Sequence, residues 1–262
     1  MVLRFIEGIG DKTINAISSF YEVLKFTSIC LLHMVKPNSY NPAMRMVLVK
    51  QIYFTAVGII PLFTTMAILF GSVIIGVVIV LATEYGLQDK IGSIIITFVI
   101  DEFSPFFTAL LISLRSSTAV NTEIAVMNVN HELNTLRQYN IDLIDYLFLP
   151  RIISGMISVV SLSILFAAIM LSSGYLFTLF YMNMDFHTYK YLLINAIEVK
   201  DLVILLVKSM AFGFVTMLIP IYSGLKTTSA YTAIPISVLN GMVKLFVALF
   251  FIEVLSLLLQ SL

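Results

Sequence analysis

Asp101 and Glu102 stand side by side within an otherwise apolar stretch, with Pro105 just beyond them and Arg115-Ser116-Ser117-Thr118 at its far end. Neighbouring carboxylates in an apolar segment can hold a cationic headgroup, relay a proton or pair with a basic residue, and are rarely idle. Arg115 and Lys208 are the basic candidates. Glu102 and Arg115 are thirteen residues apart, roughly 20 Å along one helix at about 1.5 Å per residue, so they cannot pair on the same helix. A structural partner on another helix is the simplest expectation for Glu102, with direct contact to a transported molecule as the other. Lys208, near the outer end of its span, can instead snorkel to the interface. Arg115, where its span should leave the membrane, is expected to anchor headgroups.

A polar insertion follows, from Thr122 to Leu136. Its apolar positions Val126, Val129, Leu133 and Leu136 fall at steps of three, four and three, the stripe of an amphipathic helix. Thr122, Glu123, Met127 and Glu132 complete the segment. Such a helix between two membrane spans can seat on a soluble partner or simply lie at the interface.

These residues must be held by a membrane framework. Of 262 residues 60% are hydrophobic and 11% charged, and the mean hydropathy is +1.02, against about 25% charged in soluble domains. Fifteen basic residues balance fifteen acidic ones, which argues against nucleic acid recognised through bulk charge. One cysteine, Cys30, excludes an intrachain disulfide. His33, His131 and His187 have no metal-ligand spacing, and no metal site is expected. No Ser/His or Cys/His constellation supports an embedded enzyme, and no cleavable signal peptide is expected.

The pattern predicts an all-α polytopic protein with an N-terminal interfacial segment, 1–50, and a transmembrane domain, 51–262. Residues 1–50 carry amphipathic patches (Val2, Phe5, Ile6, Ile9; Ile14, Ile17, Tyr21, Leu24) and six basic residues, which suits a helix lying on the membrane surface. Five spans are expected: Ile52 to Ala82, Ile91 to Leu114, Ile152 to Phe180, Leu202 to Tyr222 and Ile234 to Leu259. The first exceeds the roughly 20 residues a bilayer needs and is interrupted by Pro61, Gly71 and Gly76, so it is either long and tilted or broken. Phe63, Met66, Phe70 and Ile74 on it are expected to pack, or together to make a greasy cavity for acyl chains. Ten basic residues fall on the side of the N-terminus and the insertion and three on the other. That side is expected to be cytoplasmic, with the C-terminus outside.

The residues also resemble the MlaE-type permeases, membrane subunits of ABC lipid transporters that work with MCE-domain proteins. The resemblance covers nearly the whole chain after about residue 35. It is densest at Glu102-Phe103-Ser104-Pro105, where the family has E-L-G-P, and at Leu114-Arg115-Ser116-Ser117-Thr118-Ala119 with Thr122-Glu123-Ile124-Ala125-Val126-Met127, where it has G-R-x-G-[ST]-A and [AT]-E-[IL]-G-x-M. Lys50-Gln51-Ile52-Tyr53, Pro150-Arg151, Val207-Lys208-Ser209 and Tyr222-Ser223-Gly224 add to it. The chain departs from the pattern at Leu114 and Ser117, at Phe103 and Ser104, and at His131-Glu132, where the family has E-Q. The resemblance implies that Thr122 to Leu136 is a coupling helix for a cytoplasmic ABC ATPase, with Glu123 and Glu132 as polar contacts. It further implies a homodimer whose cavity opens to a periplasmic ring of MCE-domain proteins, in the bacterial inner membrane. Phospholipid would be the cargo, and ATP would bind the partner, not this chain. A proton-coupled carrier using Asp101 or Glu102 is the competing expectation.

Overall fold

The computed structural model describes residues 21–182, 185–228 and 230–260; the amphipathic patch at Val2 to Ile9 lies outside them. Among the described residues there is no strand. Five helical runs are long and apolar enough to cross a membrane: Met44–Glu84, Gln88–Val129, Ile144–Leu179, Val199–Leu225 and Ala233–Gln260. The protein is an all-α polytopic membrane protein.

Helix α1 covers residues 21–35, and α2, Pro42–Thr55, runs across position 50 into the first span. That span is broken. A 3-10 turn, Val57–Ile59, separates α2 from α3, Ile60–Glu84. Pro61 explains the restart: in the first turn of α3 its missing N–H costs no hydrogen bond. The 25 residues of α3 reach about 37 Å at roughly 1.5 Å per residue, enough to cross by themselves.

The second span is one helical run made of α4 (Ile91–Ile96), α5 (Ser104–Ile112) and α6 (Thr118–Val129), joined by π-type segments at Thr97–Phe103 and Ser113–Ser117. The π segments contain Asp101-Glu102 and Arg115, the positions whose chemistry stood out in the sequence. Such wide turns free backbone groups from the regular ladder and frequently mark functional places. Next come α7 (Glu132–Gln138), α8 (Leu149–Met182), α9 (Phe186–Ile194), α10 (Val199–Leu225) and α11 (Ala233–Gln260).

The bundle is centred on α8 and α10: α8 packs on α2, α3, α5 and α10, and α10 on α5, α6, α8 and α11. Small residues set how close they come. A Cβ on Gly213 would lie 2.5 Å from the Met156 Cα and 2.8 Å from the Gly155 carbonyl oxygen, backbone that cannot move aside; Gly71 meets Met170 backbone on α8 in the same way. This is the small-residue packing that lets helices associate where the surrounding lipid is equally apolar. Gly213→Leu is therefore expected to destabilise by about 1–3 kcal/mol or more. Thermal unfolding in detergent reads this directly, with Val207→Leu on the exposed face of the same helix as the unaffected control.

The ends of the bundle sort as the basic residues suggest. Asn128 donates to the carbonyl oxygens of Leu225 and Thr227, and Tyr231 donates to Asn130. Glu22 accepts from Lys226 and Tyr222, and His33 meets Asp145 at 2.7 Å. Helix α1, the insertion and the α10–α11 turn thus share one end. The hydrogen bond and charge of Lys226 hold the Glu22 carboxyl below its ordinary range. Cys30 on α1 is buried, which pushes its thiol up to about 12 and leaves it unreactive.

Candidate functional site

Pro105 has no N–H, so in a regular helix it would leave the carbonyl of Asp101, four residues earlier, without a partner. Lys208 of α10 fills that role: its ammonium donates to the Asp101 carbonyl oxygen at 2.9 Å. The same nitrogen makes a short ion pair with Glu102 and another, at 3.0 Å, with Glu253 of α11. Lys208 is only 4% exposed. It does not snorkel; the carboxylates on α5's approach and on α11 draw it inward, and its burial is tolerable because it is paired. The expectation of a partner for Glu102 on another helix is met by Lys208, and Glu253 is the member the sequence reading overlooked. It lies 151 residues from Glu102, and the only cue was a carboxylate inside an apolar run.

The cluster sets more than one carboxyl group against a single ammonium. Glu102 and Glu253 share one ammonium, and Asp101, 3% exposed, holds an Oδ1 with no hydrogen-bond partner among the described residues.

Around the cluster the aromatic side chains form a core of their own. Phe63 is 1% exposed and packs edge-on to Phe166 at 5.9 Å. Phe70 lies 4.8 Å from Phe107 and 5.6 Å from Phe103. Phe63 thus faces the core between α3 and α8 and not an open cavity, because the seven-residue step from Phe63 to Phe70 keeps both rings on the buried side of α3. Met66, Phe70 and Ile74 are half-buried. The face α3 leaves open is Leu69, Val73, Val77 and Leu81, at steps of four. Helix α11 is also largely uncovered; it buries Gly241, Leu245 and Leu249 and exposes Leu239, Val243, Val247 and Val254.

Arg115 takes a protein partner. Its guanidinium donates to the carbonyl oxygen of Gly58, in the break between α2 and α3. That bond satisfies an exposed carbonyl at a broken helix, a group otherwise costly at the membrane boundary, and Arg115 itself stays exposed, as a headgroup anchor requires.

The insertion is not one helix. It bends at His131, whose φ of 61° is left-handed and ends α6. Val129 and Leu133 are buried, and Val126, Met127 and Leu136 half-buried, against the protein's own helices. The apolar stripe is therefore inward-facing, and the exposed residues of the tip include His131, Glu132, Asn134, Thr135, Arg137 and Tyr139. Thr122 is exposed beside α11. Glu123 has an intramolecular partner: Arg151, at the start of α8 and 4% exposed, donates to it at 2.6 Å. Through Arg151 and Asn128 the insertion is tied to α8 and to the α10–α11 turn.

Five membrane-crossing helices around a buried charge cluster, with a bent polar insertion projecting from one end, define a multi-pass membrane protein built to connect a transmembrane body to one face. The chain belongs to the MlaE permease family, whose description, Permease MlaE, matches residues 48–259. It is 24% identical to a probable ABC transporter permease protein of Rickettsia typhi, over 86% of this chain and 85% of the relative. It is also 24% identical to the intermembrane phospholipid transport system permease protein MlaE of Haemophilus influenzae, with the same coverage. The chloroplastic protein Trigalactosyldiacylglycerol 1 of Arabidopsis thaliana is 26% identical over 64% of this chain and 48% of its own length. The fold, five apolar helical runs without a strand among the described residues, agrees with this membership.

Proposed function

We propose that the protein is the transmembrane permease subunit of an ABC transporter that moves phospholipids between the inner membrane and a periplasmic MCE-protein partner. The observation that carries this is the family match across 48–259, which spans all five membrane helices and the insertion. A separate cytoplasmic ATPase seats on the exposed tip around His131 and Glu132 and binds the ATP; this chain supplies no catalytic group. Movement of the tip passes through the Glu123–Arg151 pair to α8 and through Asn128 to α10. A second copy covers the open apolar faces of α3 and α11, and lipid occupies the space between the copies. The N-terminus is cytoplasmic and the C-terminus periplasmic, since α1 shares the basic end with the insertion. Transport then follows from two states of the dimer that differ in affinity for lipid.

A second reading, a proton-coupled carrier, is favoured by one observation: the buried Asp101 Oδ1 without a hydrogen-bond partner among the described residues, beside the Lys208 carboxyl cluster. Purification in mild detergent with mass spectrometry of bound protein and lipid separates the two. The permease reading expects a stoichiometric ATPase with a Walker A motif and co-purified phospholipid. It also expects Glu132→Lys to lower ATPase recovery at least about tenfold, roughly 1.4 kcal/mol of binding, with the melting temperature unchanged. Lipid transport driven by a pH gradient in vesicles without any ATPase would establish the carrier instead.

A further inference from the structure

Two aspartates and a histidine meet where α1 joins the bundle. His33 lies near the end of α1; Asp142 and Asp145 lie in the link from α7 to α8, more than one hundred residues away in sequence. The His33 Nδ1 is 2.7 Å from the Asp145 Oδ1. A ring nitrogen of His33 and one carboxylate oxygen from each aspartate all lie within 4.8 Å of one another. The side chains of His33 and Asp145 are only 16% and 23% exposed, so they are largely desolvated, while Asp142 is exposed and leaves the group open on one side.

A hydrogen bond between His33 and Asp145 accounts for that pair alone. It does not account for the second carboxylate. Asp142 caps the turn by accepting the Ile144 N–H at 2.8 Å, which needs one oxygen and no charge. Among the described residues neither aspartate ion-pairs with a lysine or arginine. Two carboxylates and an imidazole converging from separate elements, without a fixed cation, have the donor set of a divalent ion.

We propose that His33, Asp142 and Asp145 form a binding site for a divalent transition-metal ion of the zinc or manganese class, which clamps α1 to the start of α8. One imidazole nitrogen selects against magnesium and calcium, which prefer all-oxygen shells, and two carboxylates suit zinc or manganese better than copper(I). Three protein ligands with a water in the remaining position is an ordinary zinc arrangement. Ligand atoms bound at about 2.0–2.2 Å sit further apart than the 2.7 Å now separating His33 from Asp145. The ion therefore replaces the proton between them and spreads the pair, and the exposed Asp142 side chain swings in to complete the set. The ion would tie α1 to the link beside α7, the same end of the bundle as the insertion, independently of what the insertion contacts.

The test uses full-length protein in detergent, carrying a tag without histidines and stripped with a chelator. Zinc and, separately, manganese are titrated against a competing chromophoric chelator, with magnesium as the control. The expectation is one saturable ion per chain and at least about tenfold weaker binding in His33→Gln, Asp145→Asn and Asp142→Asn. Asp142→Asn is the decisive variant, because an asparagine oxygen still caps Ile144, so its metal-free melting temperature should match the wild type. Zinc should also slow limited proteolysis between α1 and α2 in the wild type and leave Asp142→Asn unchanged. Unaltered affinity in Asp142→Asn, absence of saturable binding, or loss of binding on His131→Gln or His187→Gln instead would overturn the site.

Discussion

Lys208→Met is expected to destabilise the protein by about 3–5 kcal/mol, the usual cost of leaving a buried charge without its partner. The substitution keeps an unbranched apolar stem of nearly the same reach and removes the ammonium. Glu102 and Glu253 would then face each other with no cation between them, and the Asp101 carbonyl would lose the donor that offsets Pro105. Glu102→Gln or Glu253→Gln alone should be milder, since each leaves Lys208 one carboxylate. The triple variant Lys208→Met, Glu102→Gln, Glu253→Gln should recover most of the lost stability, because well-packed neutral groups can replace a buried ion network at little net cost. Melting temperatures in detergent for the single and combined variants form the cycle that measures this coupling. A single Lys208→Met variant that melts with the wild type would show that the cluster is solvated. If the triple variant folds but no longer transports lipid, the charges serve transport and not only the fold.

The Glu123–Arg151 pair should respond asymmetrically, and the asymmetry follows from burial. Arg151 is 4% exposed, whereas the Glu123 side chain is 55% exposed. Glu123→Ala strands a buried guanidinium whose Nε and Nη1 already lack partners among the described residues, so a loss approaching about 3–5 kcal/mol is expected. Arg151→Met leaves a carboxylate that water can reach and fills the site with apolar volume, so it should cost no more than about 1.5 kcal/mol, the lower end for a hydrogen bond to a charged group. Denaturant or thermal unfolding of both variants decides it, and equal losses would contradict the burial argument. If the protein works as the permease proposed above, both variants should loosen the link between ATP hydrolysis and lipid movement. ATPase activity would persist while transport falls.

The chain by itself determined a good deal. Apolar runs this long have to be membrane helices, because backbone groups left unpaired in lipid are too costly, and all five appear, though the second runs on to Val129, well past its expected end at Leu114. The count of five spans placed α1, the insertion and the α10–α11 turn at one end, where the hydrogen bonds among them now lie. Asp101-Glu102 and Arg115 were visible as anomalies because a charge in an apolar run is visible without knowing its neighbours.

What the charges meet was decided only in three dimensions. Glu102 finds Lys208 and Glu253 across 106 and 151 residues, Arg115 finds the Gly58 carbonyl, and His33 finds Asp145 across 112. No spacing along the chain encodes such pairs; they depend on how close glycines let α8 and α10 approach and on where π turns rotate a helix face. The insertion shows the same limit from the other direction. Its stripe at Val126, Val129, Leu133 and Leu136 was legible as apolar, but periodicity reports only that a face is buried, not what buries it. The left-handed residue at His131 turned that face onto the protein's own helices and left the tip around it, from Asn130 to Glu132, exposed.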